Sequence, residues 1–451
     1  VIARLVRAAT VTTLLVGLAL GPAAGTTAAD APRTPIEHAV FLMEEGHSFD
    51  NLFGSYPGAD GTPTGTCVPI DPANPANGCA EPVWVGDRTV TKFVQSRPVF
   101  ELQFDGGTMN GFVSAQSAAG ADAPLVMGYY DGRDVPFSWN LADAYVLFDR
   151  FFTSGQGGSV MNHLYWVTGT PGPATDTVPL EGFGDLPTIF DRLQAAGIDW
   201  KFYVQNLDRS VNYRNPQGMI DRGSQVERVP LLAMSRYLDN PALSRRIVDL
   251  SEYYNDLDSG TLPAVSYVVP SGGGASTPTS IRVNEQLGQS LINALTRSSS
   301  WGSSMLLWTY DGWGGWYDHV APPQVDADGY GFRVPALLVS PYARRGLVDD
   351  TQLDFTSIIR FITDNWGLQP LSLRDTTAET FASAFDFANP GRSATFISSV
   401  RTTGPAAAGP RRAIIYVVYA AALVVALVLV GVAATRSGRP RRRDQATRRS
   451  P

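Results

Sequence analysis

Apolar positions in this chain fall into two kinds of pattern, short continuous runs and longer stretches at helical spacing. Residues 36–43, 264–269, 305–308 and 334–340 are nearly unbroken apolar runs bounded by Gly, Pro or charged residues, which predicts strands buried on both faces. Residues 199–204 predict a further strand. Residues 186–196, closed by Gly197, and residues 281–296 and 355–366 carry apolar residues at the 3.6 period and predict helices. Leu141, Ala144, Tyr145, Phe148 and Phe151 extend that period over 136–152, predicting one buried helix there, and 216–258 reads as mostly helical and charged. Residues 54–90 are dense in Gly, Pro, Asn and Asp and predict a long surface excursion. Strands alternating with helices predict an α/β fold with a mixed, mostly parallel sheet flanked by helices. No internal repeat interrupts the alternation.

The two ends follow other rules. Arg4 and Arg7 precede an apolar run over 8–20 and small residues up to 29, the order of a secretory signal. Residues 413–434 hold no charge, a length that crosses a hydrocarbon core of about 30 Å, and seven arginines follow against one aspartate. The expected organisation is a signal peptide at 1–29, an ectodomain at 30–400, a linker at 401–412, a transmembrane helix at 413–435 and a basic cytoplasmic tail at 436–451. By the positive-inside tendency this predicts a single-pass protein of the cell membrane with its N-terminal part outside.

Composition adds a constraint. At 451 residues, 44% hydrophobic and 17% charged, the chain can bury a large core. Its formal charge is −7; two arginines in the first 29 residues, and nine arginines against one aspartate in 411–451, leave −17 on the stretch between. Such a surface repels nucleic acid, and phosphate chemistry on it needs a local cation. Cys67 and Cys79, the only cysteines, lie in the Pro/Gly-rich excursion of a chain read as exported and predict a small disulfide.

Chemistry-bearing residues gather where strands end. The first run ends at Glu44-Glu45, and the run at 305–308 ends at Asp311, with Asp318 and His319 shortly after. Carboxylates and an imidazole beyond the carboxyl ends of strands suit a metal or phosphate site, although the same residues also serve as turn caps. Gly155, Gly157 and Gly158 precede Ser159 at the start of a helical pattern, a position that suits a nucleophile or an N-cap.

Several blocks together give the chain a likeness. Met43-Glu-Glu-Gly-His-Ser-Phe-Asp50 resembles the pattern M-Q-E-N-R-S-F-D, and Gly157-Gly-Ser-Val-Met-Asn-His-Leu-Tyr165 resembles G-P-[TS]-x-P-N-R-L-Y. Asp311-Gly-Trp-Gly-Gly-Trp-Tyr-Asp-His-Val-Ala-Pro-Pro323 resembles D-E-x-G-G-x-[YF]-D-H-V-x-P-P, followed by Gly331-Phe-Arg-Val-Pro335 and by Asp354-Phe-Thr-Ser357 against D-H-T-S. From about residue 36 to 371 the chain therefore resembles the bacterial phosphoesterase family of phosphatidylcholine-type phospholipase C and acid phosphatase A, within the alkaline-phosphatase-like superfamily.

That resemblance implies an alkaline-phosphatase-like fold and hydrolysis of a phosphate ester outside the cell. It implies Ser159 as nucleophile, His319 as a phosphate-side or proton-transfer group, Asn162 and His163 as substrate-binding residues, and Glu45 and Asp311 as ligands of a divalent metal of unknown identity. The chain departs from the pattern at Gly46, Gly312 and Phe355, and at Ser276-Thr277-Pro278 where the family has [DE]-H-P. Losing oxygen ligands weakens a hard-cation site. Two readings follow: a metal-assisted phosphoesterase, or a catalytically impaired relative, without its metal, serving as a surface binding module. A third arrangement, with His47, His163, His319 and Asp311 around a softer metal such as zinc, is also open.

Overall fold

The computed structural model describes residues 31–401 except 91, 174–175, 216, 219–224 and 271–277. The expected signal peptide, transmembrane helix and basic tail lie outside the described residues, as do Ser276 and Thr277.

Eight strands form the central sheet. In chain order they are β1 (His38–Glu44), β2 (Val146–Phe148), β3 (Trp200–Val204), β4 (Ile247–Asp249), β5 (Val265–Val269), β6 (Ser304–Tyr310), β7 (Ala336–Val339) and β8 (Leu347–Asp349), arranged β8-β2-β7-β6-β1-β5-β3-β4. Every neighbouring pair is parallel except the two that β7 makes, with β6 and with β2. Seven strands therefore point one way, and the mixed, mostly parallel sheet expected from the alternation is what forms. β5 and β6 are buried at every position and β1 at all but its first. Covering both faces of a sheet with helices demands apolar residues on both sides of a strand, which is why these strands read as continuous runs rather than alternating ones.

Helix α1 (Phe49–Phe53) follows β1, α2 (Ser159–Thr168) follows β2, α3 (Ile189–Ala195) precedes β3, α4 (Pro278–Arg297) precedes β6 and α5 (Phe355–Trp366) follows β8. Helix α5 starts on a reciprocal cap between Asp354 and Ser357, stops at Gly367 in the left-handed conformation, and packs against α2. Cys67 and Cys79 form the expected disulfide, their Cα atoms 5.4 Å apart, across a two-stranded ribbon in the excursion.

Two expectations are corrected. The single helix over 136–152 is a helix from Pro136 to Ala144 and then strand β2. Val146, Leu147 and Phe148 are apolar at both periods, and the extended backbone of Tyr145 ends the helix. Within 216–258 the described residues are mostly helical, as expected, with the edge strand β4 set among the helices. The fold class was also expected to include a membrane-crossing helix; among the described residues no helix is long and apolar enough to cross a membrane.

Candidate functional site

Parallel pairing sets the site. Glu44 and Tyr310 end β1 and β6 in register, and the Asp311 amide donates to the Glu44 carbonyl at 2.7 Å, so Glu45 and Asp311 leave the sheet side by side. Asp311 Oδ1 then accepts the Gly46 amide at 3.0 Å. The two loops touch backbone to backbone: a Cβ on Gly314 would strike the Gly46 carbonyl, and both glycines have positive φ, 43° and 63°. Gly312 leaves room that the Gln95 amide fills, since a Cβ there would collide with it, while Gln95 Oε1 accepts the Gly314 amide at 2.7 Å.

Ser159 comes from beyond β2, which β7 separates from β6 in the sheet. Beyond β2 the chain runs through Gly155, Gly157 and Gly158 and enters α2 at Ser159, half-buried. Asn162 shapes this entry. Its Oδ1 accepts the Gly155 amide at 2.9 Å and its Nδ2 donates to the Gly157 and Gly158 carbonyls at 3.4 and 3.3 Å. Those bonds occupy both ends of the amide and hold the loop. Asp176 adds an outer tie, accepting the Gly158 amide at 2.6 Å.

One helical turn on, His163 is buried; its Nδ1 donates to the Ser159 carbonyl at 2.9 Å and stands 3.9 Å from Asp311 Oδ2. Burial lowers its pKa, against the opposing pull of Asp311 and of the Ser159 carbonyl, so the ring is neutral with a lone pair on Nε2. His163 Nε2 and Asp311 Oδ2 are buried and make no hydrogen bond. Arg228 completes the corner from a short helical turn: it is 7% exposed, its Nη2 is ion-paired with Glu45 Oε1, and its Nη1 makes no hydrogen bond. Burial pushes its pKa down to about 10, with nearby Asp311 acting the other way.

His319 lies elsewhere. Its Nδ1 donates to Asp50 Oδ2 at 2.7 Å and its Nε2 faces Asp60 Oδ1 at 3.3 Å. Beside it, fully buried Arg333 donates from Nε to Asp318 Oδ1 at 2.9 Å and from Nη2 to Asp50 Oδ1 at 3.1 Å. Its Nη1 reaches the Asp60 and Asp149 carbonyls at 2.9 and 2.8 Å. Asp50, Asp318 and His319 are the one group among the described residues spaced to hold a metal ion. Burial lowers the His319 pKa, but the Asp50 hydrogen bond and the charges of Asp50 and Asp318 outweigh it and hold the pKa above its usual value. His47 is also apart, bonded to Asn51 at 2.5 Å and stacked on Trp316.

The structure thus joins Glu45, Asp311, Ser159 and His163 at one corner and separates His319 and His47 from them, so the three histidines and Asp311 are not gathered around one softer metal. Sequence reading missed Arg228 and Gln95. Neither belongs to a motif, and both reach the corner from segments distant in the chain.

Whether Glu45 and Asp311 fit a divalent metal can be read from their partners. Asp311 Oδ1 is taken by Gly46 and Glu45 by Arg228. Asp311 Oδ2, His163 Nε2 and the second oxygen of Glu45 remain, short of the oxygen shell of a hard cation, and the buried Arg228 guanidinium beside them opposes a second positive charge. As arranged, the described residues of this corner do not fit a metal.

An α/β sheet with a seryl hydroxyl, a carboxylate and an imidazole at the carboxyl ends of its strands defines a hydrolase-type site. Residues 36–369 match the Phosphoesterase family, and the chain belongs to that family and with it to the phosphoric ester hydrolases. Phospholipase C A of Mycobacterium tuberculosis is 28% identical over 431 residues, spanning 80% of this chain and 79% of that protein. Non-hemolytic phospholipase C of Pseudomonas aeruginosa is 27% identical over 422 residues, 79% of this chain and 58% of that protein. Among solved structures, a Vibrio parahaemolyticus protein of the alkaline phosphatase superfamily aligns with a TM-score of 0.39 and 12% identity, over 78% of this chain and 73% of that one.

Proposed function

We propose that this phosphoester hydrolase works through Ser159 as a covalent nucleophile on a phosphate ester, with phospholipid phosphodiesters the first substrates to test. The reading is carried by one observation: Ser159 opens α2 one turn before His163, which bonds its carbonyl and neighbours Asp311. The relatives named phospholipase C support the substrate class. In the first step the bond from Ser159 Oγ to phosphorus forms as the bond from phosphorus to the alcohol oxygen breaks. The hydroxyl proton passes to a base of this corner, for which His163 Nε2 and Asp311 Oδ2 are the unpartnered acceptors, and the departing alkoxide regains a proton. Water then cleaves the phosphoseryl ester and restores the hydroxyl.

Ser159→Ala in the full-length protein is expected to reduce hydrolysis of p-nitrophenyl phosphate, bis(p-nitrophenyl) phosphate or phosphatidylcholine by about a thousandfold or more, with unchanged unfolding behaviour. Equal turnover by variant and parent would sink the assignment. No turnover by the parent on any of these would favour the binding-module reading.

The Cys67–Cys79 disulfide supports work outside the cytoplasm. Peptide masses of protein from its producing cell should shift by two hydrogens on reduction; free thiols before reduction would count against export.

A further inference from the structure

We propose that Arg228 supplies the positive charge that receives the phosphoryl group in this chain, in the role a divalent cation has in the family pattern, and that Glu45 acts by holding the guanidinium in position. The proposal rests on the phosphoester reading above, and three sets of observations carry it.

The first is what became of the ligand positions. Glu45 and Asp311 remain from the pattern, but their neighbours are Gly46 and Gly312. The room beside Gly312 is closed by the Gln95 amide, which is itself fixed on the Gly314 amide. Of the two carboxylates, one oxygen is held by the Gly46 amide and the other residue is ion-paired with Arg228. A metal entering here would have to displace a buried guanidinium from Glu45 or bind beside its charge.

The second is the anchoring of Arg228. It lies at the end of a helical stretch whose first described residue, Gln225, is tied into the neighbouring loop by donating to the Asp208 and Val211 carbonyls at 2.9 and 3.2 Å and accepting the Asp208 amide at 2.8 Å. Its side chain is 7% exposed, with one face spent on Glu45 and Nη1 without a hydrogen bond. Buried donors are almost always paired, so an unpaired charged donor marks a place for a partner from outside the chain. The flat fork of a guanidinium matches phosphoryl oxygens, and one edge can stay on Glu45 while the other takes the ligand.

The third is complementarity. The corner's unmet groups include a cationic donor, Arg228 Nη1, and the acceptors Asp311 Oδ2 and His163 Nε2, with Glu45 Oε1 held only by its ion pair to Arg228 and Gln95 Nε2 also without a hydrogen bond. A phosphate ester beside a hydroxyl nucleophile needs that set: a donor for the phosphoryl oxygens and an acceptor for the hydroxyl proton. Residues 30–410 carry −17, so an anion reaches this edge only where a fixed cation reverses the field locally.

The test uses full-length protein purified without added metal or chelator, with inorganic phosphate as the probe. Metal content by mass spectrometry is expected to be substoichiometric, and phosphate should bind equally with and without EDTA by calorimetry. Arg228→Ala should weaken phosphate binding about tenfold or more and Arg228→Lys should restore part of it, because a charged hydrogen bond is lost in one and a point charge kept in the other. A tightly held equivalent of divalent metal together with loss of phosphate binding in EDTA would overturn the proposal, as would undiminished binding by Arg228→Ala. Should both variants fail to fold, the metal content and EDTA response of the parent protein decide alone. Ser159→Ala separates this inference from the nucleophile reading: unchanged turnover in that variant sinks the nucleophile and leaves phosphate binding at Arg228 standing, and lost turnover with Arg228-independent phosphate binding does the reverse.

Discussion

Two charged corners share the carboxyl edge of this sheet, and their partners are arranged in opposite ways. Around Arg333, the carboxylates of Asp50 and Asp318 accept bonds on both oxygens and His319 is engaged through both ring nitrogens. Around Arg228, the buried atoms Arg228 Nη1, Glu45 Oε1, Asp311 Oδ2, His163 Nε2 and Gln95 Nε2 have no hydrogen bond. A saturated buried network rigidifies, whereas a buried group left unpaired costs stability and is retained where a ligand will pair with it. Arg333 therefore reads as a clasp joining α1, the loop after β6 and the strand edge at β7, and Arg228 as the open position. The clasp also keeps Asp311 in register, because Asp311 and Asp318 share one loop.

The largest way to break this comparison is Arg333→Met. Removing one partner from a buried ion network leaves carboxylates uncompensated and costs about 3–5 kcal/mol. Urea unfolding should report that loss, and the Ser159 variant should show none of it. A stable Arg333→Met protein would mean the clasp is dispensable.

Behind the open corner lies a second test. Glu285 accepts the Phe137 and Ser138 amides at 2.9 and 3.3 Å, yet burial pushes its pKa up to about 7; nearby Glu44 is raised as well, by burial and then by the charge of Glu285. For Glu285 the folded pKa lies above the unfolded value of 4.5, so its favourable contribution is fully present below that value and is lost as pH rises to about 7. The shift corresponds to about 3 kcal/mol across that window. Stability of the parent should fall over this range, and Glu285→Gln should flatten the fall. Equal slopes in the two proteins would remove Glu285 as its source.

The same comparison explains what could be read from the sequence. Strand ends could be read because burial on both faces forces continuous apolar runs, and the ends of β1 and β6 carried Glu45 and Asp311 to one edge of the sheet, while Ser159 was legible from the glycines before its helix. β2 itself was hidden, since Val146, Leu147 and Phe148 satisfy the helical period of the segment before them. His319 was grouped with Asp311 because spacing along a loop does not tell which side of the sheet edge a side chain takes. Seven residues after Asp311 the chain has already crossed to Asp50 and Arg333. Arg228 could not be read at all: it meets Glu45 only through the tertiary fold, and an arginine in a charged helical stretch ordinarily faces water.

The smallest effect sharpens the boundary between the corners. His319 sits between Asp50 and Asp60 with its pKa above 6.5, so the charged ring is favoured in the folded state. A raised folded pKa gives stability that is fully present below 6.5 and is lost as pH rises through the folded value. His319→Gln, which keeps a donor but not the charge, should cost about 1–2 kcal/mol near pH 5.5 and less near pH 8.5. Turnover should fall far less than in Ser159→Ala, because the ring is bound to the clasp and not to the open corner. Equal loss of turnover in the two variants, with no pH-dependent change in unfolding, would instead move His319 into the chemistry and dissolve the distinction between the two corners.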